Sequence, residues 1–329
     1  MSNQDAIYDL SRTIDPRFGC LEYKAKKSFF GHDSPIEDWW SSVDLPGGGW
    51  NAHPLAKVWT PQPVGGDVAP FVDYPCLEFA TPAFSPKAVQ ALRPMLEESG
   101  ELLELRHKNG SYFGLNVTKQ SDALDVKKSM IKWFSDEVGI SANDIKRFEF
   151  HKSRLRGLSL FQLKQTPQFV LVTEDFKQRV EAAALNGFQF TKVWPLPPGT
   201  YWRDAQIQAR RAATRKLDLY GESLMLRFRP QNDRASPKEK KRVQEFADEL
   251  NALLTTQQTI TDPYYGSVEG TEFVKGDCRI FLSCPKVEDL IEYLGTWING
   301  NDWPGEFHIV KRFGNLYDTK AKEKRIAIK

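Results

Sequence analysis

Residues Gly157–Pro195 read GLSLFQLKQTPQFVLVTEDFKQRVEAAALNGFQFTKVWP, and every local signal in them agrees on the order strand, cap, helix, stop, strand. Leu158, Leu160, Phe161 and Leu163 open an apolar run. Phe169–Val172 is a second run, rich in β-formers and too short for a helix. Thr173 is placed as the N-cap, its hydroxyl taking one of the first-turn N–H groups that have no intrahelical partner. Glu174 and Asp175 sit where the helix dipole favours negative charge, and Phe176, Val180, Ala183 and Ala184 form one apolar face. Asn186-Gly187 is the stop, because glycine enters the left-handed C-cap conformation without a side-chain penalty. Phe188, Phe190 and Val193 then read as a strand returning to the sheet.

Upstream, Leu77–Val117 repeats this plan more loosely. Ser85 takes the place of Thr173, Pro86 occupies the first helical position where a missing N–H costs nothing, and Val89, Leu92 and Leu96 form the buried stripe. Ser99-Gly100 is the stop. Leu102, Leu103 and Leu105, then Tyr112–Val117 across the turn Lys108-Asn109-Gly110, read as a hairpin. Strand-helix-strand units in tandem predict an N-terminal α+β domain with a shared sheet.

The same residues carry a family resemblance. An opening strand Ile7-Tyr8-Asp9-Leu10, the segment Asp73-Tyr74-Pro75 before the first capped helix and Gly100-Glu101-Leu102-Leu103 after it are followed by Asn116-Val117 and Asp122-Ala123-Leu124-Asp125. Leu160-Phe161, Asn186-Gly187-Phe188 and Val193-Trp194 complete the set. In order and spacing, roughly the first two hundred residues resemble the bacterial polymorphic-toxin immunity proteins of the "immunity protein eleven" type. The resemblance implies a cytoplasmic protein of bacterial competition that neutralises a cognate secreted toxin by binding it, and that is not an enzyme.

Composition permits this. The chain has 329 residues, 40% apolar and 27% charged, which is a folded composition and long enough for about two domains. A formal net charge of +2 gives no reason to expect nucleic acid or an anionic membrane as partner. The start, MSNQDAIYDL, lacks the basic-then-apolar pattern of a signal peptide, and no apolar run approaches membrane-helix length. Cys20, Cys76, Cys278 and Cys284 form no C-x-x-C pair and are expected as buried, reduced thiols. No cofactor or metal is expected. Were zinc present, Cys278, Cys284 and His308 would be the first ligands to consider.

Ser11–Tyr74 is rich in proline, with the triplet Gly47-Gly48-Gly49, which lacks the Gly-Lys-Ser/Thr ending of a phosphate loop. Trp39, Trp40, Trp50 and Trp59 lie here, interleaved with His32, Asp33, Glu37, Asp38 and Asp44. Large aromatics beside acids on loops are what a hot spot for a basic partner looks like; the competing reading, favoured by the high average burial of tryptophan, is that the same rings plug the edge of a core. The candidate partner-binding residues are therefore Trp39, Trp40, Trp50, Asp33, Glu37 and Asp38.

Lys146, Arg147, Lys152, Arg154 and Arg156 alternate with Phe148 and Phe150, as in a strand with one solvated face or a nucleic-acid stripe. Pro195-Leu196-Pro197-Pro198-Gly199 reads as a linker and Trp202–Leu217 as a bridging helix. Beyond it, Leu224, Leu226 and Phe228 alternate with Met225, Arg227 and Arg229, and Ser236-Pro237-Lys238-Glu239 is a capping box. Its helix buries Val243, Phe246, Ala247, Leu250, Leu253 and Leu254. A second helix carries Val287, Leu290, Ile291, Leu294, Trp297 and Ile298. Strands over Tyr264–Phe273, Asp277–Ser283 and Phe307–Phe313 complete a βαββαβ order, the ferredoxin-like arrangement. Its open face gathers Arg227, Arg229, Arg279 and Phe281, but the aromatic RNA-binding motif is missing and residues 221–329 hold 17 basic and 17 acidic side chains.

None of the five histidines has metal-ligand spacing and no G-x-S-x-G elbow occurs; Asp33, Glu37 and Asp38 as an acid–base pair would need a pocket. The expected organisation is an immunity-like α+β domain over 1–196, a linker and bridging helix over 197–219, and a ferredoxin-like domain over 220–329. The expected function is stoichiometric occlusion of a toxin. The alternative is a nucleic-acid-binding or hydrolytic protein using the basic strands.

Overall fold

The computed structural model describes residues 6–13, 15, 17–23, 54–57, 59–77, 81–133, 142–217, 221–255, 259–301, 306–314 and 320–326. They mix helices and sheets, as an α+β chain does. The chain divides into two compact units: Met1–Ile14 with Phe18–Arg210, and Asp15–Arg17 with Arg211–Lys329.

In the first unit the strands are β1 (Ile7–Arg12), β2 (Glu22–Tyr23), β3 (Gln62–Gly65), β4 (Ala83–Phe84), β5 (Gly100–His107), β6 (Gly110–Val117), β7 (Gln120–Ser121), β8 (Met130–Trp133), β9 (Ala142–Arg147), β10 (Leu160–Leu163), β11 (Thr166–Thr173) and β12 (Phe188–Trp194). Helices α1 (Pro86–Ser99) and α2 (Glu174–Ala182) follow β4 and β11, and α3 (Trp202–Leu217) follows β12. The two strand-helix-strand stretches do not share a sheet. One sheet runs β12-β1-β11-β10-β7, a second runs β2-β3-β5-β6-β4, and β8 with β9 forms a two-stranded sheet. The reason lies in the edges: β3 and β4 already cover both sides of the β5–β6 hairpin, while β1 from the chain start inserts between β11 and β12. Both faces of the β1-containing sheet are buried. Leu10, Leu160, Val170 and Val172 pack with α1 and α2, and Ile7, Phe161, Leu163, Leu171 and Val193 pack with Ile145, Phe148, Phe150 and Trp202.

The two helix starts differ. Ser85 Oγ accepts from Ala88 N–H at 3.1 Å, a working cap with Pro86 in the first turn. Thr173 holds the cap position by backbone alone; its hydroxyl makes no capping bond and instead reaches the Ser159 carbonyl at 3.5 Å. Helix α2 also ends earlier than its periodicity predicts. Its apolar face stops at Val180, Ala183 is half-buried and Ala184 exposed, and Ala184 itself takes the left-handed turn (φ 47). Gly187 (φ 95) is needed for a different purpose, because a Cβ there would lie 3.0 Å from the Tyr74 carbonyl oxygen.

The second unit contains β13 (Glu222–Arg229), α4 (Pro237–Leu254), β14 (Ser267–Val274), β15 (Asp277–Cys284), α5 (Val287–Gly300), β16 (Glu306–Phe313) and β17 (Lys322–Ile326). Its sheet is antiparallel in the order β14-β15-β13-β16-β17. Leu224, Leu226 and Phe228 of β13 meet Phe246, Leu250, Leu290 and Leu294 of the two helices in one core. The capping box forms as expected: Ser236 Oγ accepts from Glu239 N–H, and Glu239 accepts from Ser236 N–H at 2.7 Å. The first α5 N–H, on Val287, has no side-chain cap from Lys286 and donates to Glu222 at 2.7 Å. Strand β14 begins at Ser267 and not at Tyr264, since Tyr265 stacks on Tyr293 at 4.1 Å. Strand β17 is an addition, not foreseen because KEKRI has only one apolar residue to mark a face.

Candidate functional site

Trp39, Trp40, Trp50, Asp33, Glu37 and Asp38 all lie outside the described residues. What is described is how the stretch containing them is tied at both ends. Before it, Leu21 is fully buried, and Glu22 and Tyr23 pair with Gly65 and Val64. After it, the Leu55 N–H donates to Glu101 Oε2 at 2.7 Å and the Ala56 N–H to Glu101 Oε1 at 3.3 Å. Trp59, the fourth tryptophan of the group, is half-buried and donates its indole N–H to the Glu104 carbonyl at 3.0 Å. Both anchors therefore belong to one sheet, through β2 on one side and β5 on the other.

Close to that sheet lies a polar hub. Asp73 is buried; its Oδ1 accepts from the Ser85 hydroxyl at 2.7 Å, and its Oδ2 from Lys87 Nζ at 3.2 Å and Asn186 N–H at 3.0 Å. The backbone N–H groups of Asp73 and Tyr74 both donate to the Asn186 carbonyl, and Tyr74 stacks on Phe188 at 4.7 Å. Asp73-Tyr74-Pro75 and Asn186-Gly187-Phe188, far apart in sequence, are thus parts of a single junction. Gly187 lets the two backbones approach. The hub is an assembly device, since each carboxylate oxygen is occupied by a group of the chain itself. Both halves were marked in the sequence by the family resemblance, and a carboxylate set in the otherwise apolar run Phe71–Leu77 hinted at the buried partners.

A cleft of about 170 Å³ is lined by Glu22, Gly65, Gly66, Asp67, His107 and Lys108. It is smaller than typical small-molecule pockets of roughly 300–1,000 Å³. The His107 ring is engaged at both nitrogens: Nε2 lies 3.0 Å from the Gly66 carbonyl and so donates, while Nδ1 accepts from Asn109 N–H at 3.2 Å. Lys108 pairs with Asp67 at 3.3 Å.

In the second unit the arginines of the open sheet face are tied to carboxylates. Asp277 Oδ2 accepts from Arg227 Nη2 at 2.6 Å and Arg279 Nε at 2.7 Å, and Arg279 also reaches Glu272 at 2.9 Å. Burial pushes the Asp277 carboxyl upward, but these two guanidinium partners outweigh it and hold the pKa below the ordinary value. Cys278 and Cys284 belong to the helix-side core, whereas His308 precedes core-facing Ile309 on β16 and lies on the other face. The three do not converge, and no group of metal-ligating side chains occurs among the described residues. Burial raises the Cys284 and Cys76 thiols to about 12, so both stay protonated. Burial, with Arg325 and Arg227 nearby, lowers the pKa of His308.

Residues 103–194 match the immunity protein family Imm11. No curated protein matches the chain. The matched stretch runs from within β5 to the end of β12. It includes the Asn116-Val117, Asp122–Asp125, Leu160-Phe161, Asn186–Phe188 and Val193-Trp194 motifs, while Ile7–Leu10, Asp73–Pro75 and Gly100–Leu102 lie before it. These residues within the matched stretch have identifiable structural work: Asn116 Nδ2 donates to Glu101 at 3.0 Å, Leu124 bridges Phe150, and Trp194 Nε1 donates to Glu149 at 3.1 Å. No helix among the described residues is long and apolar enough to cross a membrane.

Proposed function

We propose that the chain is a cytoplasmic immunity protein of bacterial competition that neutralises a cognate secreted toxin by occupying it, one protein to one toxin, without catalysis. The observation that carries this is the match of residues 103–194 to an immunity family. Nucleic-acid binding through the basic strands is the weaker reading, because Arg227 and Arg279 are already engaged by Asp277 and Glu272.

Residues 1–196 form the immunity-like domain, 197–219 the linker and bridging helix, and 220–329 a ferredoxin-like domain. Support for the last comes from its strand order, in which the first and third strands of βαββαβ are central and adjacent, and from the single core shared by both helices.

Trp39, Trp40 and Trp50 anchor the toxin, and Asp33, Glu37 and Asp38 steer it. The anchoring of both ends of this stretch on one sheet supports its use as a presented loop. Trp40→Ala should weaken toxin binding by about 2 kcal/mol or more if the ring is a hot spot. Affinity and thermal unfolding of that variant are measured together. Lost folding stability identifies a core plug, and full affinity in a fully folded variant removes the anchor. Rescue of intoxicated cells should scale with the amount of protein. Protection far below the amount of toxin, with no complex, would overturn occlusion.

A further inference from the structure

Strands β8 and β9 are the middle of a longer hairpin. The Asp125 N–H donates to the Glu149 carbonyl and the His151 N–H to the Ala123 carbonyl, both at 2.8 Å, so pairing extends to residues 123–125 and 149–151. One side of this hairpin is apolar and turned inward: Leu124, Ile145, Phe148 and Phe150 are buried, with Ile131 and Trp133 packed against the same core.

The other side carries a different chemistry. Met130 is 45% exposed; Lys132, two residues further along β8, Lys146 on β9 and Lys127 in the turn before β8 are exposed as well. The register sets Met130 opposite Arg147 and Ile131 opposite Ile145, which leaves Lys146 as the extra residue of a bulge beside Met130. Among the described residues of the hairpin, Asp125 is committed to Lys128 at 3.4 Å, Asp144 to Arg203 at 2.8 Å and Glu149 to Arg147 at 3.0 Å. Lys127, Lys132 and Lys146 make no ion pair among the described residues. Three exposed lysines without an ion pair among the described residues therefore accompany one exposed, adaptable thioether side chain.

We propose that this side of the hairpin docks an acidic face of a partner protein, with Met130 at the centre of the contact and the three lysines on its rim. Resting on the immunity reading, that partner is the toxin. Opposite charge at a rim acts mainly on the rate and orientation of encounter, which suits lysines that remain solvated until contact. A protein fits better than a nucleic acid, because the hairpin turns its aromatic rings inward and leaves a methionine where a stacking platform would be needed.

The test uses the full chain and a toxin-bearing secreted protein, to be sought in the neighbouring reading frame. The triple variant Lys127→Glu, Lys132→Glu, Lys146→Glu should unfold at the wild-type temperature, since all three side chains are exposed. Its association rate should drop by roughly tenfold or more at low salt, with the gap narrowing as salt screens the charges. Met130→Ser should speed dissociation and leave association nearly unchanged. A triple variant that associates at the wild-type rate overturns the surface while leaving the immunity reading intact. Absence of any complex with the wild-type chain overturns both. A labelled RNA or DNA duplex that binds the wild-type chain and not the triple variant assigns the surface to nucleic acid and overturns the protein partner.

Discussion

The two units use the same materials, five-stranded sheets and amphipathic helices, but close them differently. In the second unit one sheet and two helices enclose one core, and a local hairpin links β14 to β15. In the first unit, three buried clusters lie around two five-stranded sheets and the β8–β9 pair, and neighbours in space are more than 160 residues apart in sequence: Ile7 pairs with Thr173 on one side and Trp194 on the other. The junction is completed by Asp73, whose carboxylate accepts from the Asn186 backbone 113 residues away. A fold closed by one apolar core tolerates separation from the rest of the chain. A fold closed by a buried polar hub depends on every partner arriving together.

The largest effect expected from this difference is all-or-none. A fragment from Asp218 to Lys329 should fold alone and unfold cooperatively, because a unit of about a hundred residues can bury enough apolar surface. An unfolded fragment beside a folded full-length chain would show that the second unit's core is not self-sufficient. Next in size is Asp73→Ala, which leaves the Ser85 hydroxyl and the Asn186 N–H without their acceptor. It should destabilise the first unit by about 3 kcal/mol, read as a lowered denaturant midpoint. A loss under about 1 kcal/mol would mean that water replaces the carboxylate and that the hub does not close the fold.

The same contrast governs what the sequence revealed. The second unit was readable almost element by element, since Ser236 to Glu239 is a complete local signal and the helix stripes have one period each. What was missed there, β17, has alternating charges on an edge and gains its partner only from Phe313 back to Ile309. In the first unit the helices were readable and the sheets were not. Nothing local in Ile7–Arg12 says that it will lie between β11 and β12, and nothing in the two strand-helix-strand stretches says that they will build separate sheets. The candidate tryptophan loop was identified by composition, and its six residues fall outside the described residues. Lys146 reads as part of a solvated strand face or a nucleic-acid stripe, and it is the structure that pairs the described acids Asp125, Asp144 and Glu149 with other cations.

A smaller effect separates two caps that look alike in sequence. Ser85 both accepts from Ala88 and donates to Asp73, so Ser85→Ala should cost about 1–2 kcal/mol. Thr173 makes no capping bond, so Thr173→Ala should cost only about a few tenths of a kcal/mol. Equal losses in thermal unfolding would mean that Thr173 caps its helix in solution.

The smallest effect expected is a pH dependence confined to the second unit. The Asp277 pKa is held below its unfolded value by Arg227 and Arg279 despite burial, so ionised Asp277 favours the folded state. Its contribution is fully present above the unfolded carboxylate value near pH 4 and is lost as pH falls through the lowered folded value. His308 works in the same direction at higher pH. Burial lowers its pKa, so the folded state resists its protonation and stability begins to decline below about pH 6.5. Thermal midpoints of the 218–329 fragment between pH 8 and pH 3 should therefore fall in two stages. His308→Gln should flatten the upper stage and Asp277→Asn the lower one, the second at the cost of a lower midpoint near neutral pH because two arginines lose an ionised partner. If Asp277→Asn keeps the wild-type decline below pH 4, the acid sensitivity belongs to other carboxylates, and the arginine–aspartate group contributes no measurable stability to the sheet.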